Sequence, residues 1–316
     1  MECKIHIFFF ANSMNNLYTN QTSNIRKTWL MMTIFLVLVI AIGFALAYVQ
    51  GNPSILYGAV IFSLLMNIGA YWFSDTLVLS MANARRIEKR DEYPDLWNTL
   101  ENLCITAGLP MPALYIIDDP APNAFATGRN KDHAVVAVTT GILPLLSKSE
   151  LEGVLAHELG HIGNRDMLLQ TVVVVFAGII SIVADIALRM SMFGGQGSEK
   201  KNPVFIILGL AAFVLAPLAA MIIKFAISRE REFLADATSV LITRYPEGLA
   251  SALEKISNFH QPMKVQHAAI AHLFISDPTG INDVKELREG ETLSWLQKMF
   301  MTHPPVSERV ARLLNK

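Results

Sequence analysis

The sharpest chemistry in this sequence lies in Val154-Leu155-Ala156-His157-Glu158-Leu159-Gly160-His161. Side chains four apart on an α-helix share a face, so His157 and His161 can present two imidazoles to one metal ion. Glu158 follows the first histidine and can reach a water on that metal as a general base. The combination is that of a hydrolytic zinc site, which needs a third protein ligand and one open position. A metzincin would place glycine at 164 and histidine at 167; this chain has Asn164 and Met167, which excludes that class. The third ligand therefore comes from elsewhere in the chain, on the same side of any membrane. Arg229-Glu230-Arg231-Glu232-Phe233-Leu234-Ala235-Asp236 offers it. Glu232 and Asp236 are again four apart, so Glu232 can bind metal while Asp236 orients a ligand histidine. Glu230 is the rival ligand, on a different helical face from Asp236.

The helix carrying the two histidines is well specified. Ser149 with Glu152 reads as a capping box, and Leu151, Val154, Leu155 and Ile162 form its apolar stripe. Upstream, residues 95–107 place Leu96, Leu100, Leu103, Cys104 and Ala107 on one helical face that ends at Gly108 and Pro110, making Cys104 a core residue. Ala113–Ile117 and Ala134–Thr139 are β-branched apolar runs bounded by turn residues, and read as strands. Ala124–Gly128 between them reads as a third, edge strand. Near the C-terminus, Pro304 and Pro305 fix the backbone after His303, and Ser307 can cap a helix over 308–314. His303 is then either a hydrogen-bond donor to a tetrahedral oxyanion or a turn residue at the last helix. His260, His267 and His272 have zinc spacing with no partner and read as ordinary surface or core residues.

Composition sets these elements beside a membrane. Hydrophobic residues make up 52% and charged residues only 17%, with a mean hydropathy of +0.38. A balance of 26 basic against 27 acidic residues leaves no excess charge for nucleic acid. Two cysteines, Cys3 and Cys104, cannot build a disulfide framework. Four uncharged or nearly uncharged blocks, 28–49, 53–74, 168–188 and 203–223, are long enough to span a bilayer as helices. Gly51-Asn52-Pro53 joins the first two as a hairpin, and the glycine-rich stretch at 194–198 joins the last two. The first block lies behind a polar leader, 1–27, and lacks a cleavage site, so it is a retained span. Met14 is a second candidate start. Near the span ends, ten Lys and Arg on one side against three on the other put both termini and the segments 75–167 and 224–316 in the cytoplasm. The expected protein is mainly α and integral to the membrane, with two helical hairpins and a cytoplasmic α+β domain in two parts. A transporter is the alternative from another class, but its spans would carry inward-facing ionisable residues, and the uncharged stretches 28–49, 53–74, 168–184 and 203–223 contain none.

The chain resembles the HtpX-type membrane zinc metalloproteases, which are related to the CAAX prenyl proteases. The marks are Asn123-Ala124-Phe125-Ala126-Thr127-Gly128, the His157–His161 motif with Asp166, the stretch from Ser228 through Asp236, and Thr302-His303-Pro304-Pro305 with Glu308-Arg309. The resemblance implies a gluzincin-like domain in the bacterial inner membrane, holding one zinc per chain with Glu232 as third ligand. It implies Asp236 and Asp166 behind the ligand histidines, Glu158 and His303 as catalytic groups, and degradation of unfolded or damaged membrane and cytoplasmic proteins. Substrate would bind as an extended strand beside Asn123, Ala124, Phe125 and Ala126. Self-cleavage in the leader or around 258–279 would follow from such broad recognition. CAAX-type processing of prenyl proteins is the alternative within the enzyme class, although such proteases typically have more spans.

Overall fold

The computed structural model describes residues 2–176, 178–180, 229–259, 261–264, 270–278 and 304–315, with side chains from Gln21 onward. Two long helices, α1 (Glu2–Gln50) and α2 (Ser54–Met81), form an antiparallel hairpin turning at Gly51, whose φ of 63° needs the freedom of glycine. The leader and the first apolar block are thus one unbroken helix. Residues Gln21–Gln50 and Ser54–Met81 are long and apolar enough to cross a membrane. The expected third block begins as α6 (Met167–Ile180), and the rest of it and the fourth block lie outside the described residues.

A four-stranded sheet follows α2, with β1 (Ala84–Arg86), β2 (Ala113–Ile117), β3 (Ala124–Gly128) and β4 (Ala134–Thr139) in the order β1-β2-β4-β3. The parallel β2–β4 pair is central, β3 lies antiparallel to β4 at one edge, and β1 holds the other. The three expected strands all form at their expected bounds. The short β1 has too few residues to show alternation, and only its pairing with β2 reveals it. Between β1 and β2 runs α3 (Pro94–Ala107), which stops at Gly108 with φ 65°. Cys104 is buried in its core face, and burial pushes its thiol up to about 11, so it is an inert packing group.

After β4 and the single turn α4 (Ile142–Leu145) comes α5 (Lys148–Asn164), the helix of the two histidines. Its capping box lies two residues earlier than expected: Ser147 is the N-cap, and the Glu150 carboxylate accepts the Ser147 N–H at 2.7 Å. Ser149 falls inside the first turn because helical geometry already begins at Lys148. Three more helices complete the described chain, α7 (Arg229–Thr243), α8 (Pro246–Ser257) and α9 (Val306–Leu313). Glycine lets α5 sit close to two of them. A Cβ on Gly153 would come within 2.7 Å of the Leu249 nitrogen on α8, and one on Gly160 within 3.1 Å of the Ala235 Cα on α7.

The main core joins α3, the sheet, α5 and α8 through Leu100, Val136, Val154, Leu155 and Leu253. A second cluster is purely helical, where Phe35 of α1 stacks on Phe176 of α6 at 4.0 Å between ring centres. A third seats the end of α2 on the sheet: Val78, Leu79 and Ala82 pack against Phe125, Val135 and Ala137. Helix α2 rises about 42 Å, more than a bilayer core needs, and its last turns belong to this cluster. The C-terminus of α5 rests on α1, whose Gln21 and Asn24 side chains donate to the carbonyls of Gly163 and Asn164. The histidine helix therefore ends against a candidate span, and α6 departs from it at 83°.

Candidate metal centre

Both ends of α5 are tied down before its histidines come into play. At the N-terminal end, Glu150 accepts from Ser251 and from Lys255, the latter at 2.7 Å, both on α8. At the C-terminal end, Arg165 takes the left-handed conformation that closes the helix, which brings Asp166 back toward His161. Between these anchors His157 and His161 lie on one face, with exposures of 1% and 7%. Their Nε2 atoms are 3.2 Å apart.

Helix α7 supplies the opposing wall. Glu232 and Asp236 are both buried on it, whereas Glu230 is exposed to solvent. Glu232 Oε2 lies 3.8 Å from His157 Nε2, and its Oε1 lies 3.7 Å from His161 Nε2. The two remaining imidazole nitrogens each meet a carboxylate: His157 Nδ1 is 3.0 Å from Asp236, and His161 Nδ1 is 3.0 Å from Asp166. A histidine that donates from Nδ1 leaves a lone pair on Nε2. The two lone pairs and the Glu232 carboxylate then converge on one buried spot.

Such a convergence of acceptors calls for a cation. Ligands on a tetrahedral zinc at about 2.0–2.2 Å stand roughly 3.3–3.6 Å from one another, close to the separations here. His157, His161 and Glu232 form the one such metal-competent group among the described residues. The local charge agrees. Four buried carboxylates (Glu158, Asp166, Glu232 and Asp236) outnumber two buried guanidinium groups (Arg231 and Arg309). That excess of negative charge favours a cation. It also shows in the histidines: despite burial, Asp166, Glu232 and Glu158 hold the His161 imidazole up at about 10, while burial and the Arg309 charge hold His157 below its ordinary value.

Glu158 is set apart from this group. It is 1% exposed, and its Oε2 has no hydrogen-bond partner among the described residues. Burial, reinforced by the nearby Glu232 charge, raises its carboxyl to about 7 against the pull of His161. A carboxyl there exchanges its proton near neutral pH.

Arg309 on α9 is the residue that sequence reading missed. It is fully enclosed and grips Asp236 with two hydrogen bonds, at 2.9 and 2.6 Å, while its Nη2 lies 3.4 Å from His157 Nδ1. Only its place in the string after His303 marked it, since a lone arginine six residues from a histidine implies no contact with a helix seventy residues away. The last helix also begins earlier than expected. Pro305 is the N-cap of α9 and Ser307 lies within the first turn without capping it, because Pro305 already fixes the turn. His303, His260 and His267 lie outside the described residues, and His272 is buried.

The expected substrate strand is present as β3, at the edge of the sheet. The Thr139 N–H donates to the Asn123 carbonyl at 2.9 Å, so Phe125 and Thr127 turn their backbone groups to β4, and Ala124, Ala126 and Gly128 turn theirs outward. The outward groups of Ala124 are already engaged: its N–H donates to the Asn123 side chain, and its carbonyl accepts from Ile275. Asn123 is pinned further by its amide bonds to the Ser276 backbone, and Phe125 packs edge-on against Phe274 at 5.1 Å. Among the described residues, the outward groups of Ala126 make no hydrogen bond.

Comparison with known proteins agrees with this geometry. The model of the family "Peptidase family M48" matches residues 91–316, which include every residue of the metal centre. The chain is 43% identical over 309 residues to a "Protease HtpX homolog" of Thermoanaerobacter pseudethanolicus, covering 95% of this chain and 98% of that one. It is 46% identical over 243 residues to a "Protease HtpX homolog" of Tropheryma whipplei, covering 77% of this chain and 79% of that one. The crystal structure of S. mikatae Ste24p shares the fold at a TM-score of 0.50 and 20% identity, over 91% of this chain and 66% of that one. This chain therefore spans about two thirds of the Ste24p structure's length. With a metal-competent His-His-Glu group in a domain matched over most of its length, the chain belongs to peptidase family M48, among the HtpX-type metalloproteases.

Proposed function

We propose that this protein is an integral membrane zinc endopeptidase that degrades misfolded or damaged proteins at the cytoplasmic face of a bacterial inner membrane. The observation that carries the reading is the buried His157–His161–Glu232 group beside Glu158, whose Oε2 has no hydrogen-bond partner among the described residues, at the foot of two helices apolar enough to span a bilayer. His157, His161 and Glu232 would hold one zinc ion, which when bound would supply Lewis-acid chemistry to the site. Asp236 and Asp166 keep the imidazoles oriented, and Arg309 holds Asp236 in place. Glu158 accepts the proton of the attacking water and returns it to the leaving amine, a task suited to a carboxyl near 7. His303 is assigned the hydrogen bond to the tetrahedral oxyanion.

Substrate adds as an extended strand along β3, recognised mainly by its backbone, which suits disposal of many unrelated sequences. Ala126 offers the outward N–H and C=O for this pairing. Since β3 is buried along its length, entry requires movement of residues that cover its edge, the 270–276 stretch among them. Because α5 ends on α1, His161 stands one helical turn from the span, within reach of segments leaving the bilayer. Self-cleavage around 258–279 is a further consequence; the leader, expected to be a flexible site for it, is instead part of helix α1 and would have to unwind first.

The test is zinc content and casein cleavage of the detergent-purified protein beside Glu158→Gln. The variant should keep one zinc and the native fold while kcat falls at least about 100-fold. Activity within tenfold of wild type would remove Glu158 from the proton-transfer role.

A further inference from the structure

The β3–β4 hairpin points its tip at the end of a span. Exposed aromatic residues bracket the hairpin of α1 and α2: Trp29 and Trp72 at the end nearest the protease domain, Tyr48 and Tyr57 at the other. Trp29 to Tyr48 rises about 28 Å along α1, and Tyr57 to Trp72 about 22 Å along α2, close to one bilayer core. Such rings settle at the headgroup level. Directly over the Trp72 ring, at 4.6 Å, lies the guanidinium of Arg129, the first residue after β3. Among the described residues it forms no ion pair and no hydrogen bond, so its donors are open to an anion from outside the chain. Lys131, two residues on, is exposed. A second contact fixes the same orientation: Thr127 Oγ1 lies 2.9 Å from Thr171 Oγ1 on α6, beyond the bend that leads away from the metal centre.

We propose that the tip of this hairpin, Arg129 with Lys131, binds the phosphate of an anionic phospholipid headgroup beside Trp72. A guanidinium stacked on an aromatic ring keeps its planar edge free for phosphate oxygens, which a lysine cannot match. The consequence is mechanical. The strand assigned to substrate is tethered at its Gly128 end to the membrane surface, so the peptide-binding edge is held in register with the bilayer. The inference rests on α1 and α2 crossing a membrane.

Native mass spectrometry of the full-length protein, released from detergent with phosphatidylglycerol or phosphatidylcholine, tests it. Wild type should bind phosphatidylglycerol in preference, Arg129→Ala should weaken that binding about fivefold, and Lys148→Ala, at the far end of α5, should leave it unchanged. Equal binding by Arg129→Ala and wild type, equal loss in Lys148→Ala, or no lipid preference in wild type would each overturn the site. Spin labels in lipid nanodiscs, in a Cys3→Ser background, give an independent reading. A label at Lys131→Cys should report headgroup depth, between the oxygen-rich position of Val37→Cys on α1 and the aqueous position of Lys148→Cys. An aqueous Lys131 label with Val37 in the bilayer refutes the tether alone, whereas an aqueous Val37 label refutes the spans themselves.

Discussion

In the α1–α2 hairpin the large apolar side chains point outward: Val37, Phe44, Ile61, Leu65 and Phe73 are all more than half exposed. In the metal centre the charged side chains point inward: Glu158, Asp166, Glu232, Asp236 and Arg309 are all nearly or fully enclosed. Each region inverts the usual rule for a protein in water, for its own reason. Lipid is as good a solvent for an outward phenylalanine as a protein core is, so the hairpin needs composition and length but few specific partners. A buried charge is tolerable only when paired, so Asp236 depends on Arg309 of another helix and His161 on Asp166, while the Oε2 of Glu158 stands without a partner among the described residues. The hairpin should therefore be robust to single changes and the centre brittle.

The largest effect should come from removing one member of the enclosed pairs. Arg309→Leu leaves Asp236 buried without its cation, at a cost of about 3–5 kcal/mol. That amounts to a drop in Tm of roughly 10 °C or more in detergent at pH 7. Phe44→Leu on the hairpin should change stability by less than about 0.5 kcal/mol. Comparable melting of the two variants would break the contrast. Arg309→Leu combined with Asp236→Leu should recover much of the stability, since no charge is then stranded, yet leave metal binding impaired because His157 has lost its orienting group.

That dependence on pairing also decides how much could be read from sequence. The hairpin was legible because its signal is local: an uncharged run, a Gly-Asn-Pro turn, then another uncharged run. So were β2, β3, β4 and α3, whose patterns repeat within a few residues. The spacing of His157 and His161, and of Glu232 and Asp236, placed each pair on one face because helix periodicity is also local. What spacing could not settle was the meeting of the two helices, and Glu230 against Glu232 remained open until α7 turned one inward and the other to solvent. Arg309 stayed hidden because its partners are 73 and 152 residues away. The shift of the capping box from Ser149 to Ser147 has another cause, since both serines stand three residues before a glutamate and local pattern cannot separate them. The choice falls to the fold, in which Ser251 and Lys255 of α8 capture Glu150.

One step smaller is the loss of a carboxylate behind a ligand. Asp166→Asn and Asp236→Asn keep size and burial but weaken the hold on the histidine Nδ1 atoms. Zinc affinity, measured by competition with a chelator, should fall about 10–100-fold in each. Affinity within twofold of wild type in both would mean that Glu232 and the two imidazoles position themselves, and that the centre is less brittle than its pairings imply.

Glycine at close helix contacts extends the comparison to packing. Gly153→Ala would push a methyl into the backbone of α8 at Leu249, where nothing can yield easily, and should cost about 1–3 kcal/mol. Gly43→Ala on α1 meets the Ala59 methyl of α2. Two helices joined only by a short turn can part slightly at that contact, so the cost should be the smaller of the two. Thermal unfolding in one detergent ranks them, and the reverse order would show that the hairpin is the more tightly specified region.

The smallest effect belongs to the one ion pair of α5, among the described residues, that touches water. Burial alone would raise the Glu150 carboxyl, but Lys255, Ser251 and the Ser147 backbone outweigh it and bring the group from 4.5 down to about 2. A carboxyl depressed in the folded state contributes stability that is complete above its unfolded pKa, near 4.5, and lost as pH falls toward 2. Lys255 is 42% exposed, so water and salt screen the pair, and its worth is about 1 kcal/mol or less. Wild type should therefore melt above Glu150→Gln at pH 5 by a few degrees at most, and the gap should narrow steadily toward pH 3. A gap that stays constant between pH 5 and pH 3 would mean that Glu150 holds the end of α5 as a neutral hydrogen-bonding group, with no part played by its charge.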